Sequence, residues 1–174
     1  MRIISGKYKG RQLVYPKDKR VRPTQDRVKE ALFSILGPQV HHAAVLDLFC
    51  GTGGLGIEAL SRGASSCVFV DLIGDSVRKN LAFVEEPHTV FEVDFRIFLK
   101  RNHRCFPLIF MDPPWLESTI YEDSLKAIFG SDILPLGGTL VVEHPKKMDL
   151  SGFMEATLIK PYSYGNTQLS VITR

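Results

Sequence analysis

Long apolar runs are missing from this chain. None approaches the roughly 20 residues that a bilayer-spanning helix needs, and the basic N-terminus lacks the apolar stretch of a signal peptide. A soluble, cytoplasmic protein without a membrane partner is expected. Cysteine is scarce. Cys50, Cys67 and Cys105 are odd in number and form no close pair, which points to reduced, buried thiols and not to disulfides or zinc. The histidines His41, His42, His88, His103 and His144 show no metal-ligand spacing, so no metal is expected. Internal repeats, low-complexity tracts and a second hydrophobic core are also lacking. At 174 residues with 44% apolar content, the chain reads as one domain, with residues 1–38 appended to a core over 43–174.

Net charge is only +3, yet it is segregated. Residues 1–30 carry ten Lys and Arg against three acids, 10 − 3 = +7, leaving 12 − 16 = −4 for the rest. Such an arm, with Tyr8 and Tyr15 interleaved, suits contact with phosphate. Residues 2–14 read as two short strands about a glycine-bounded turn, a basic hairpin. Thr24 is a candidate N-cap for a helix in which Val28, Leu32, Ile35 and Leu36 recur at helical spacing, stopped by Gly37-Pro38.

Beyond residue 43, short apolar runs alternate with helical patterns. The strand-like runs are Ala44–Phe49, Cys67–Val70, Thr89–Val93, Leu108–Met111, Gly138–Glu143, Ala156–Pro161 and Gln168–Thr173, with helical spacing near 54–63, 75–84, 95–101 and 119–129. Unbroken strands such as Leu108-Ile109-Phe110-Met111 suit a parallel sheet covered on both faces. The last two runs, joined at Tyr164-Gly165-Asn166, leave no room for a helix and predict an antiparallel hairpin. The predicted fold is α/β, a Rossmann-like sheet of seven strands with its last hairpin reversed.

Two motifs carry chemistry. The first strand ends in Asp47-Leu48-Phe49-Cys50-Gly51-Thr52-Gly53-Gly54-Leu55-Gly56, a strand–turn–helix in which glycines let a ligand meet bare backbone. Gly51, Gly53 and Gly56 also spell G-x-G-x-x-G, with Asp71 about twenty residues on, where a ribose hydroxyl could be held. The second motif, Asp112-Pro113-Pro114-Trp115, follows the fourth strand. Its prolines remove two N–H donors and leave carbonyls and a carboxylate beside a flat ring, an arrangement suited to an exocyclic amine on a planar base.

The tetrapeptide and glycine loop resemble the amino-directed S-adenosylmethionine methyltransferases. More narrowly, the chain resembles the RsmD-like family, which methylates a guanine N2 amine in bacterial small-subunit (16S) ribosomal RNA. The matching pieces are Arg2-Ile3-Ile4 with Lys9-Gly10-Arg11, Arg22-Pro23-Thr24 with Asp26-Arg27-Val28-Lys29-Glu30, Asp47-Leu48-Phe49 through Glu58-Ala59-Leu60-Ser61-Arg62-Gly63-Ala64, Phe110-Met111-Asp112-Pro113-Pro114, and Tyr164-Gly165. Trp115 stands where Phe or Tyr is usual, Asp71 where Glu is common, and Phe95 where a small residue is usual.

The resemblance implies S-adenosylmethionine as cofactor, held by Asp47, Phe49, Gly51, Thr52, Gly53, Asp71 and Asp94, with Asp112, Pro113, Pro114 and Trp115 as the catalytic segment. It implies ribosomal RNA or the small subunit as partner, met by Lys7, Lys9, Arg11, Arg22 and Arg27 of a monomer. A valine at Gly53 is expected to block the cofactor and leave the core folded. Other amino-directed transfers (DNA adenine N6, protein glutamine), a nicotinamide oxidoreductase and a non-catalytic RNA-binding module are the alternatives.

Overall fold

The computed structural model describes residues 1–15, 26–114, 117–150 and 158–174. Seven strands form one sheet: β1 (Ala44–Leu48), β2 (Ser66–Asp71), β3 (His88–Glu92), β4 (Leu108–Met111), β5 (Thr139–Pro145), β6 (Leu158–Tyr164) and β7 (Thr167–Thr173), in spatial order β3-β2-β1-β4-β5-β7-β6. The β1, β2, β3, β4 and β5 pairings are parallel, whereas β7 runs antiparallel to both β5 and β6. The β6–β7 turn is the two residues Gly165-Asn166, with Gly165 at φ 59°, the left-handed conformation that a tight hairpin requires. Strand limits shift by no more than three residues from the sequence expectation, the largest being the end of β6 at Tyr164 in place of Pro161, and Ala156 lies outside the described residues.

Helices α1 (Asp26–Leu36), α2 (Gly54–Ser61), α3 (Asp75–Leu81), α4 (Phe95–Arg101) and α5 (Ser118–Phe129) cover the sheet. Strand periodicity divides the core. Val45 packs in one layer with Leu32, Phe33, Ile57 and Leu60, whereas Leu46 and Leu48 pack in the other with Phe98, Tyr121 and Leu125. After α1 the chain passes into a single 3-10 turn over Gly37–Val40, with Pro38 near its start where the missing N–H costs nothing. Thr24, the expected N-cap, lies outside the described residues. No helix among the described residues is long and apolar enough to cross a membrane.

The basic arm differs from expectation. Backbone hydrogen bonds join its two limbs as a hairpin, from Ile3 N–H to the Arg11 carbonyl (2.9 Å), from Gly10 N–H to the Ile3 carbonyl (2.9 Å) and from Leu13 N–H to the Met1 carbonyl (3.1 Å). Only Arg2 and Gln12 form a bridge, however, so the limbs are not two regular strands. Around the turn, the N–H groups of four residues go instead to the core. Ile4 and Ser5 donate to the Glu58 carboxylate (2.8 and 3.0 Å), Lys7 to the Ser61 carbonyl (2.8 Å) and Tyr8 to the Ser61 hydroxyl (2.9 Å). Glu58, fully buried, also pairs with Lys29 (3.1 Å) and Arg62 (2.8 Å). Gly6, at φ 81°, must approach this helix end closely, for a Cβ there would lie 1.8 Å from the Ser61 carbonyl oxygen. Cys50 and Cys67 are buried as expected, but Cys105 is exposed.

Candidate active site

Strand order reverses between β1 and β4, so the segments leaving their carboxyl ends diverge and open a crevice. The loop after β1 enters it under backbone strain. Phe49 holds φ 65°, unusual for an aromatic residue, and Gly51 and Gly53 follow at 53° and 79°. Both the Phe49 and Cys50 N–H groups donate to the Val70 carbonyl (2.9 and 3.1 Å), and Gly53 N–H closes the turn on Cys50 (2.7 Å). Two carboxylates fix the loop from below: Asp47 accepts from Gly56 N–H and Asp71 from Gly51 N–H, each at 2.8 Å.

The three glycines serve different ends. A Cβ at Gly51 would meet nothing within 4 Å, so this residue faces open space with its backbone uncovered. At Gly53 it would lie 2.8 Å from Val77 Cγ2 and 3.1 Å from Ile57 Cδ1, and at Gly56 2.4 Å from Phe69 Cε1. Those two glycines seat the loop on the core. The expectation that a side chain at Gly53 would enter ligand space and spare the core is therefore corrected.

Asp47 is only 3% exposed, and burial pushes its carboxyl up to about 8, opposed by the Gly56 hydrogen bond and helped by the Asp71 charge. Asp71, half-buried, also accepts weakly from Ile73 N–H (3.3 Å). Asp94 caps α4: its Oδ1 accepts from Arg96 N–H (2.8 Å), while Arg96 ties on to Asp123 at 2.7 Å. Any adenine contact from Asp94 shares the carboxylate with that cap. Phe49 packs its ring against Phe95, centroids 5.0 Å apart. Thr52 is buried, and its carbonyl accepts from the Asn80 side chain (3.0 Å).

Asp112 follows β4, its N–H directed at the Leu48 carbonyl (3.4 Å), so it stands beside the end of β1. Burial, then the charges of Glu143 and Asp47, raise its carboxyl well above the usual range. Pro113 is buried and Pro114 exposed. The Tyr121 hydroxyl, from α5, meets both the Pro113 carbonyl (3.4 Å) and the Glu143 carbonyl (3.2 Å), holding the ends of β4 and β5 together. Trp115 lies outside the described residues.

The arm residues divide. Lys7 is taken up by Glu85 (2.8 Å) and Glu86 (2.9 Å), while Tyr8 is buried and donates to Glu86 (2.6 Å). Lys9, Arg11 and Arg27 are exposed, Arg11 lying 5.1 Å over the Phe83 ring. Arg22 lies outside the described residues. Sequence reasoning missed Asn80, Tyr121 and Glu143, and it read Tyr15 only as part of the phosphate-facing arm. Tyr121 and Asn80 read as ordinary helix positions, and only the position of Glu143 at a strand end beside the tetrapeptide's strand could have marked it.

Three likenesses locate the chain among known proteins. The ribosomal RNA small subunit methyltransferase D of Haemophilus influenzae is 34% identical over 95% of this chain and 89% of that one. The Escherichia coli protein of the same name is 38% identical over 70% of this chain and 64% of its own length. The solved structure of hypothetical protein TTHA0928 from Thermus thermophilus superposes with a TM-score of 0.82 at 27% identity, covering 100% of this chain and 99% of that one. A family model described as conserved hypothetical protein 95 matches residues 1–173, and this chain therefore belongs to that family, the RsmD-like methyltransferases.

Proposed function

We propose that this protein transfers a methyl group from S-adenosylmethionine to the exocyclic N2 amine of a guanine in small-subunit ribosomal RNA. One observation carries it: a carboxyl and the Pro113 carbonyl stand at the end of β4 beside the open glycine loop, where acceptors can orient an incoming amine. Carboxyl groups line the crevice, and burial with neighbouring charge holds those of Asp47 and Asp112 above the usual carboxylate range. An ammonium or sulfonium cation beside these carboxyls would favour their ionised forms, whereas a dinucleotide pyrophosphate would oppose them, which argues against the oxidoreductase alternative.

The cofactor supplies an electrophilic methyl on sulfur. Asp47, Gly51 and Asp71 are the residues that would hold its amino-acid and ribose parts, with Phe49 and Asp94 toward the base. On the substrate side, the lone pair of the guanine amine is delocalised into the ring. Hydrogen bonds from its two N–H groups to the Asp112 carboxylate and the Pro113 carbonyl orient that nitrogen for in-line attack and favour its pyramidal form. The methylated nitrogen is cationic and loses its proton to Asp112 or water, so no base need act beforehand. Trp115 is the candidate stacking face for an extruded base. Lys9, Arg11 and Arg27 supply cations for phosphate.

The test is incubation of the protein with labelled S-adenosylmethionine and under-methylated small subunits or their naked RNA, followed by mapping of the label. Label on a single guanine N2 is expected. Label on an adenine N6 or a glutamine amide would overturn the guanine assignment.

A further inference from the structure

Two polar side chains beside Asp112 are not used by the chemistry above. Strands β4 and β5 pair in parallel with Met111 opposite Val142, so the next register positions are Asp112, just past the end of β4, and Glu143, two residues before the end of β5. Parallel partners in register present side chains to the same face of a sheet. The Tyr121 hydroxyl ties the two segments together through their carbonyls, and the Glu143 charge bears on Asp112. Glu143 thus belongs to the crevice as a second carboxylate acceptor.

Tyr15 approaches from the arm. The preceding residue is clamped at both backbone atoms by one side chain: Val14 N–H donates to Asn80 Oδ1 (2.7 Å) and its carbonyl accepts from Asn80 Nδ2 (3.0 Å). The same amide nitrogen holds the Thr52 carbonyl (3.0 Å), so the position of Tyr15 is fixed relative to the glycine loop. The Tyr15 hydroxyl is shielded from solvent and has no hydrogen-bond partner among the described residues. Burial, then the charge of Asp112, push its pKa up to about 12, which keeps it a protonated donor at neutral pH. A buried hydroxyl left unsatisfied is costly, a penalty that a bound polar group removes.

Besides the Pro113 carbonyl, the crevice therefore offers two carboxyl acceptors and one donor. The Watson–Crick edge of guanine offers the complement: an N2 amine, a ring N1–H and the O6 acceptor. Adenine presents a bare N1 lone pair where guanine has N1–H, which a carboxylate repels. We propose that Glu143 and Tyr15 read the target base beside Asp112, Glu143 accepting from N1–H and Tyr15 donating to O6, so that guanine is admitted and adenine refused. This inference rests on the guanine-N2 function proposed above.

The test uses small-subunit RNA carrying either guanine or 2-aminopurine at the methylated position. The analogue keeps the N2 amine but lacks both N1–H and O6. The wild-type protein should prefer guanine by at least about 10–100-fold in kcat/KM, the range for one well-made base contact. Tyr15→Phe should slow guanine methylation about tenfold and leave 2-aminopurine unchanged. Glu143→Gln should slow guanine yet raise the rate on 2-aminopurine above wild type, because the amide can donate to the bare N1. A gain of rate cannot arise from damaged folding, and S-adenosylhomocysteine affinity should be unchanged in both variants. Wild-type base ratios in both variants, or equal losses on both bases, overturn the inference while leaving guanine methylation standing. Label mapped to another base or to protein overturns both.

Discussion

Asp112 and Asp47 differ in what surrounds them, and their substitutions should separate accordingly. Asp112 stands at the mouth of the crevice with Glu143 beside it, whereas Asp47 lies beneath the loop with one oxygen committed to Gly56. Asp112→Ala should leave S-adenosylhomocysteine affinity within a few-fold of wild type and slow single-turnover methylation by about 10²–10⁴, the scale for losing a positioned polar group. Asp112→Asn should be milder, because an amide oxygen still accepts one hydrogen bond. Asp47 predicts a pH effect on stability. Its folded carboxyl titrates near 8, far above its ordinary value of 3.8, so the folded state retains a proton that the unfolded chain gives up. Its contribution is full at acid pH and declines as pH rises from about 4 through 8. Asp47→Asn keeps the acceptor for Gly56 without the titration. In urea melts it should gain on wild type between about pH 5 and 8.5, and a pH-independent difference would remove Asp47 from this linkage.

At the scale of elements, the arm is held by a buried charge cluster. Lys29, fully buried, donates to the Arg2 carbonyl (2.5 Å) and pairs with Glu58, which caps the Ile4 and Ser5 N–H groups. Removing one partner of a buried pair strands the other, at about 3–5 kcal/mol. Glu58→Ala should therefore cost that much in chemical denaturation and expose the arm to proteolysis. The same geometry divides the arm's cations. Lys7 already pairs with Glu85 and Glu86, so its replacement by Ala should barely alter the salt dependence of RNA binding. The triple change Lys9→Ala, Arg11→Ala and Arg27→Ala should weaken RNA binding. It should also flatten the slope of log affinity on log salt by roughly 0.7–0.9 for each phosphate no longer neutralised. An unchanged slope would move the RNA surface away from the arm.

At the scale of the molecule, the glycine loop belongs both to the crevice and to the core. Gly53→Val would force a branched side chain between Val77, Ile57 and Phe69 at φ 79°. Overpacking and left-handed strain together should lower stability by about 2–5 kcal/mol. Gly51→Ala, with open space before its Cβ, should cost only about 1–2 kcal/mol of strain and act mainly on S-adenosylhomocysteine affinity. Thermal melts paired with calorimetry separate the two. A folded Gly53→Val protein of wild-type stability would show that this glycine faces the ligand after all.

The sequence by itself determined the alternation of strands and helices, the reversed final hairpin, and the meeting of an acid-tipped glycine loop with Asp112-Pro113-Pro114. These features are written in local periods and turn chemistry, and the parallel sheet brings the carboxyl ends of β1 and β4 together whatever the loops contain. Only the tertiary structure decided which groups are already spent and which face the crevice. Lys7 reads as a free cation until Glu85 and Glu86, far along the chain, close on it. Gly53 reads as ligand space until Val77 packs beneath it. Glu143 and Tyr15 carry no motif, and they gain meaning from the β4–β5 register and from Asn80, which fastens the arm to the glycine loop. Hydrogen bonds and packing between residues distant in sequence leave no period to read, so partner and orientation emerge only when the chain has folded.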